Sequence, residues 1–165
     1  MIPRYTRPEM AALWTDEFRW QTILDVELLA AEAYARTPED RRAVKTLRRR
    51  AKVDVARILE IEKTTKHDLI AFLTQIEEKA GPAAKVLHRG LTSSDVLDTA
   101  LAVQMARAAD LLIVGIERLR AAVKKLARAH AATPMMGRSH GVHGEPITFG
   151  FKVAGWYTEL TRGAR

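Results

Sequence analysis

Cysteine is absent from this chain. That lack removes disulfides, thiolate metal sites and a cysteine nucleophile together, and it fits a reducing compartment. Aromatic residues are scarce, at 6% of 165 positions. None falls in the most basic stretch, where a single-strand nucleic-acid binder would want stacking faces. No apolar run approaches the roughly eighteen residues of a membrane span. The N-terminal run from Met1 to Tyr5 lacks the apolar centre of a secretory signal. The Val/Ile/Thr alternation of half-buried strands is nearly missing. These absences lead to the expectation of a soluble cytoplasmic protein with neither nucleic acid nor membrane as partner.

What is present is helical material: alanine, leucine, glutamate, lysine and arginine dominate. The hydrophobic share of 47% is enough for a sizeable core, and the length suits one medium domain or part of a larger protein. The net charge is +7, and +6 of it resides in residues 36–52, where Arg36, Arg41, Arg42, Lys45, Arg48, Arg49, Arg50 and Lys52 face only Glu39 and Asp40. Charge confined to one helix reads first as a solvated face. The other reading of that stretch is a docking surface for acidic partners.

The pattern predicts an all-α chain. A first helical stretch covers residues 8–35, with a break near Trp14–Glu17. Thr37 caps a second helix, with Pro38 at its first position and Glu39 and Asp40 in its first turn; this helix is expected to run to about Ile61. A polar turn spans Glu62 to Asp68, and a third helix ends at Gly81-Pro82. Thr92 and Asp95 have capping-box spacing. After them Leu97, Leu101, Met105, Ala108, Leu112, Ile116, Leu119, Val123 and Leu126 repeat at steps of three and four, the α-helical period. The helix so marked is about 35 residues long, roughly 50 Å by helical rise. A stripe of that length belongs to a long bundle in an oligomer. A further helix is expected to open at Pro146.

Chemistry concentrates between Thr133 and Pro146, where Arg138, Ser139, His140, His143 and Glu145 are interleaved with Gly137, Gly141 and Gly144. Read as a loop, the segment has three interpretations: ordinary polar loop groups, a zinc site at His140, His143 and Glu145, or acid–base chemistry on a small anionic substrate with Arg138 supplying charge. The last needs further anion-binding pieces. Three are available: Arg4-Tyr5, Lys66-His67-Asp68, and Thr92-Ser93-Ser94 at a helix N-terminus, where free N–H groups favour anions. Each alone reads equally well as a surface charge or a cap.

Their order and spacing resemble a known family. The segments Arg4-Tyr5 with Pro8-Glu9-Met10, Trp14-Thr15-Asp16-Glu17, Lys66-His67-Asp68, Gly90-Leu91-Thr92-Ser93-Ser94-Asp95 and Gly137 to Pro146 are similar to the adenylosuccinate lyases of the fumarase/aspartase superfamily. The resemblance covers nearly the whole chain. It implies a small N-terminal helical domain at 1–92 and, at 93–165, the start of a long-helix bundle. It also implies β-elimination of fumarate from adenylosuccinate and from the imidazole-carboxamide succinyl ribotide of purine synthesis, with no cofactor and no metal, at sites shared in a homotetramer.

Carried over residue by residue, the resemblance makes His140 the general acid. Arg4 and Tyr5 bind the nucleotide end of the substrate, Lys66, His67 and Asp68 form a further substrate-binding segment, and Thr92 and Ser93 hold a succinyl carboxylate. Three positions depart from the family pattern: Ser139 replaces a usual threonine, Gly144 a usual alanine, and Lys66 a frequent arginine. The larger departure is the missing Ser-Ser-x-Met-Pro-x-Lys-x-Asn-Pro loop, whose serine is the family's base. The resemblance therefore implies an N-terminal piece that is inactive by itself. The competing readings are another lyase or cycloisomerase of the superfamily, and a non-catalytic helical module.

Overall fold

The computed structural model describes residues 2–164. Met1 and Arg165, the outer limits of the two expected domains, lie outside the described residues. Helix predominates. α1 (Pro8–Ala12), α2 (Asp16–Tyr34), α3 (Pro38–Arg50), α4 (Val55–Thr65) and α5 (Asp68–Ala80) are followed by a 3-10 turn over Gly81–Val86 and by α6 (Ser93–Ala129). A two-stranded antiparallel hairpin, β1 (Pro134–Ser139) and β2 (Val142–Thr148), then leads to α7 (Phe149–Gly163). The chain divides into two compact units, Met1–Ala108 and Ala109–Arg165.

Local chemistry explains most boundaries in the first unit. Thr15 caps α2 by accepting the Phe18 N–H. At α3 the full capping box forms: Thr37 Oγ1 accepts the Asp40 N–H, and Asp40 accepts the Thr37 N–H. Asp40 also binds Arg89 at 2.9 Å. These bonds, the Thr37 hydroxyl foremost, hold its carboxyl below the usual carboxylate range.

The single helix expected from Thr37 to Ile61 is instead two, broken between Arg50 and Val55. Asp54 caps α4 by accepting the Arg57 N–H. The break is held from a distance: Gln75, buried on α5, donates to Lys52 O at 3.0 Å and accepts the Asp54 N–H at 3.3 Å.

The core of this unit gathers Ile23, Leu24, Leu47, Ile58, Leu69, Phe72, Ile76 and Val96. Trp20 stacks on Phe72, with ring centroids 5.3 Å apart. The start of α6 joins it through Val96 and Ala100, while buried Gln104 donates to Leu13 O at 2.7 Å. The buried face is thus one residue round from the Leu97–Leu101–Met105 stripe, and Leu101 and Met105 are exposed.

Farther along α6, Leu112 is 59% and Leu119 52% exposed. This helix also corrects the expectation about spans. It carries a window with mean hydropathy 1.5 that is long and apolar enough to cross a membrane by length and composition. Alanines between the larger apolar residues raise that average without forming an unbroken run of large ones.

In the second unit the glycine–histidine segment is a hairpin, not a loop. Pairing runs from Pro134 with Thr148 to Ser139 with Val142, and the register shifts between Met136 and Arg138. Gly137 sits at that shift, where a Cβ would lie 2.8 Å from the Glu145 carbonyl oxygen. Pro146 pairs with Met136 within β2, so α7 starts at Phe149 rather than at Pro146, capped by Thr148. Gly150 N–H donates to His130 O and Phe149 N–H to Thr133 O, both at 2.8 Å. The Phe149 ring meets His130 edge-on. These contacts tie the hairpin's base to the end of α6.

Candidate functional site

Arg4 and Tyr5 lie in a short 3-10 turn over Pro3–Tyr5, closed by Tyr5 N–H to Ile2 O at 3.0 Å. The Arg4 guanidinium sits 4.8 Å from the Tyr5 ring centroid, and both residues are exposed. A cation over a ring face is attracted by its quadrupole. The pair presents one cation and one phenol side by side.

Lys66 ends α4 in the left-handed region, at φ 54°. Its N–H binds Glu62 O at 2.8 Å, leaving the ammonium outside the helix. His67 caps α5: Nδ1 accepts the Ile70 N–H at 3.4 Å. A ring that accepts at Nδ1 carries its proton on Nε2, which is thereby the donor available to a ligand. Asp68 is engaged within the fold. Its Oδ1 accepts the Leu69 N–H at 2.7 Å, and its Oδ2 binds Arg19 at 3.1 Å. Arg19 was not among the residues expected from sequence. It lies one turn into α2, beside the Trp14–Glu17 segment, and its guanidinium also covers the Trp20 ring at 4.8 Å from the centroid.

Thr92 precedes α6 and Ser93 opens it. Half of the expected capping box forms: the Asp95 carboxylate accepts the Thr92 N–H at 2.8 Å. The other half does not, because the Asp95 N–H goes to the Thr92 carbonyl oxygen at 3.1 Å. The Thr92 hydroxyl is therefore not used up as a cap and stands exposed at the positive end of a 37-residue helix.

His140 is at the hairpin tip. It and Gly141 have φ of 55° and 77°, the positive pair that a two-residue type I′ hairpin turn requires. Glycine meets that demand freely; histidine does so against its Cβ. The His140 ring is exposed, held out by the strands on either side. Positive φ at a residue other than glycine occurs at Lys66, His88 and His140 among the described residues. Two of these three belong to the site read from sequence, in keeping with backbone strain gathering at functional positions.

Arg4, Tyr5, Lys66, His67, Asp68, Thr92 and Ser93 belong to the first unit and His140 to the second. Among the described residues of the first unit, no hydrogen bond or ion pair joins one of its pieces to another. Nor does any group of three His, Asp or Glu side chains there converge on a point that a metal would occupy. His143 pairs across the hairpin with Arg138, away from the turn. Buried Glu27, paired with half-buried His88, was also missed from sequence. Its signal was legible: Glu27 lies four residues after Ile23 and three after Leu24, a charge on the apolar face of α2.

The chain is similar to known proteins. The protein family described as Lyase matches residues 4–165. The adenylosuccinate lyase of Synechocystis sp. is 51% identical over 98% of this chain, and that of Bacillus subtilis 50% identical over 98%. The chain spans 38% of the length of each. Among solved structures, a fumarate lyase from Mesorhizobium sp. superposes with a TM-score of 0.86 at 32% identity, covering 94% of this chain and 38% of its own. A 3-carboxy-cis,cis-muconate lactonizing enzyme from Pseudomonas putida gives 0.82 at 31%, covering 96% of this chain and 38% of its own. The chain belongs to this lyase family and is similar over nearly all of its length to adenylosuccinate lyases.

Proposed function

We propose that a protein carrying this chain eliminates fumarate from adenylosuccinate, and from the related imidazole-carboxamide succinyl ribotide, in purine synthesis. The observation that carries this reading is identity of about half to adenylosuccinate lyases across 98% of the chain. The geometry supports it. Thr92 and Ser93, at the start of a 37-residue helix, suit a succinyl carboxylate, whose charge grows as the neighbouring carbon loses its proton. His140, held out on a rigid two-residue turn, is the acid that protonates the departing nitrogen. Histidine suits that task because its ordinary pKa of about 6.5 lies near neutral pH. Arg4, Tyr5, Lys66 and His67 offer two cations, a phenol and a ring N–H to the nucleotide end. Asp68 acts with them by fixing Arg19 and the start of α5.

The base is assigned to a serine on a segment outside these residues, so this chain by itself releases no fumarate. The exposed apolar side of α6 supports burial against other copies, in a tetramer that brings His140 and the first unit's pieces into shared sites. A cytoplasmic location and the absence of a metal, cofactor or nucleic-acid partner complete the proposal. A second reading, a cycloisomerase of the same family, is favoured by the likeness to the Pseudomonas putida lactonizing enzyme. The test is fumarate release, followed by absorbance, from adenylosuccinate by the full-length protein. Release abolished by His140→Ala supports the reading. No release from adenylosuccinate, with turnover of a carboxymuconate, supports the second.

A further inference from the structure

Four polar side chains are buried among the described residues: Thr22, Glu27, Gln75 and Gln104. Thr22 bonds to its own helix, Gln75 ties down the α3–α4 break, and Gln104 reaches Leu13. Glu27 is the one with a charge, and it is 0% exposed. A carboxylate sealed from water needs its oxygens satisfied. Both of them go to one residue: Oε2 accepts the His88 backbone N–H and Oε1 meets His88 Nδ1, each at 2.7 Å.

The segment it grips is sharply bent. His88 and Gly90 have φ of 57° and 70°, both left-handed. A Cβ on Gly90 would lie 3.7 Å from the Tyr34 hydroxyl. Between them Arg89 binds Lys85 O and Asp40 Oδ1, each at 2.9 Å, but that guanidinium is half exposed and in contact with water. Two residues beyond Gly90 stands Thr92, with its N–H on Asp95. The route from the core to the helix start therefore runs through Glu27: a buried charge on α2, the strained His88 backbone, the Gly90 bend, then Thr92 and Ser93.

We infer that Glu27 is a positioning residue for the Thr92–Ser93 helix start, holding residues 87–91 in the bend that presents the two hydroxyls to the substrate carboxylate. This rests on the carboxylate-binding role proposed above for Thr92 and Ser93. A residue that served stability alone would change melting without changing the ratio of KM to kcat.

The test uses the full-length enzyme and two substitutions, Glu27→Gln and Glu27→Asp. Glutamine keeps the shape but replaces one of the two oxygens with an NH2 group, so that only one oxygen remains for the two His88 contacts. Aspartate keeps the charge but withdraws it by one methylene. Amide hydrogen exchange over residues 86–96 is read by mass spectrometry beside the kinetics of fumarate release. The expected result is exchange at least tenfold faster over 86–96, with parental exchange in α2 and α5. The kcat/KM for adenylosuccinate falls at least tenfold, with kcat itself lowered, because the two hydroxyls hold the carboxylate on which charge develops. If the glutamine variant exchanges faster everywhere, it has failed to fold, and the aspartate variant decides by the same readings. Parental exchange over 86–96 in a folded variant overturns the inference, and so does faster exchange with a parental kcat/KM. An unsubstituted enzyme that releases no fumarate overturns the proposed function instead, a result the exchange data do not depend on.

Discussion

Gly150 is the place where a single added methyl group tests the packing of the second unit. It is the second residue of α7, and its φ lies outside the left-handed region. Alanine is therefore conformationally acceptable there, and the whole effect is steric. A Cβ would stand 2.5 Å from the Ala127 carbonyl oxygen and 2.7 Å from the Ala131 backbone nitrogen and Cα. All three are backbone atoms near the end of α6 and cannot rotate away, so relief requires α7 to shift. Such a shift stretches the Gly150 N–H bond to His130 O and the Phe149 N–H bond to Thr133 O.

Overpacking of this kind costs typically 1–3 kcal/mol, about 2 kcal/mol at mid-range. Alanine's better helix propensity returns up to about 1 kcal/mol within a helix, less in its first turn. The net loss for Gly150→Ala is roughly 1–2 kcal/mol, a fall in melting temperature of about 2–8 °C for a chain this size. Gly155 is the internal control. It lies mid-helix on α7, and a methyl group added there would meet nothing within 4 Å. Gly155→Ala gains about 0.5–1 kcal/mol and melts higher. Thermal and urea unfolding followed by circular dichroism measure both. Melting of Gly150→Ala at or above the parent, together with a stabilised Gly155→Ala, would refute the close approach of α7 to α6.

Three further outcomes are expected. In the full-length enzyme, His140→Gln lowers kcat by about 10² to 10⁴ with little change in KM. His67→Gln raises KM instead; steady-state kinetics showing the opposite split would reverse the two assignments. The apolar side of α6, with Leu112 59% and Leu119 52% exposed, drives self-association of the chain; sedimentation showing a dilution-stable monomer that binds no apolar dye counts against this. Asp40 contributes to stability through a folded pKa below its unfolded one. That contribution is complete above the ordinary carboxylate range of about 4 and is lost as pH falls through the lowered value. Asp40→Asn should therefore melt below the parent at neutral pH, with the difference shrinking in acid; a difference independent of pH would remove the carboxylate from the account.

Helices, caps and the family's segments were legible in the chain because their signals are local. Thr37 before Pro38, with Glu39 and Asp40 in the first turn, marks a helix start, and α3 begins there with Thr37 as its cap. The three-and-four spacing from Leu97 to Leu126 marks a long helix, and α6 runs for 37 residues. Lys66-His67-Asp68 breaks a helix, and the chain turns there with Lys66 left-handed.

What the sequence left open depends on partners far away along the chain. The α3–α4 break is held by Gln75, more than twenty residues on. The glycine–histidine segment carries no strand alternation, because its pairing comes from the two arms meeting across His140-Gly141 and from the Gly137 shift. The side of α6 that is buried carries Val96, Ala100 and Gln104, the last held by Leu13 O, and not the largest apolar residues. The Glu27–His88 pair spans sixty-one positions. Its carboxylate became a structural tie only when folding sealed both oxygens against one residue. Periodicity and capping are properties of neighbours in sequence, so the chain alone determined its helices and their ends. Burial and long-range hydrogen bonds are properties of neighbours in space, so the tertiary structure decided the hairpin, the buried face and the tie behind Thr92 and Ser93.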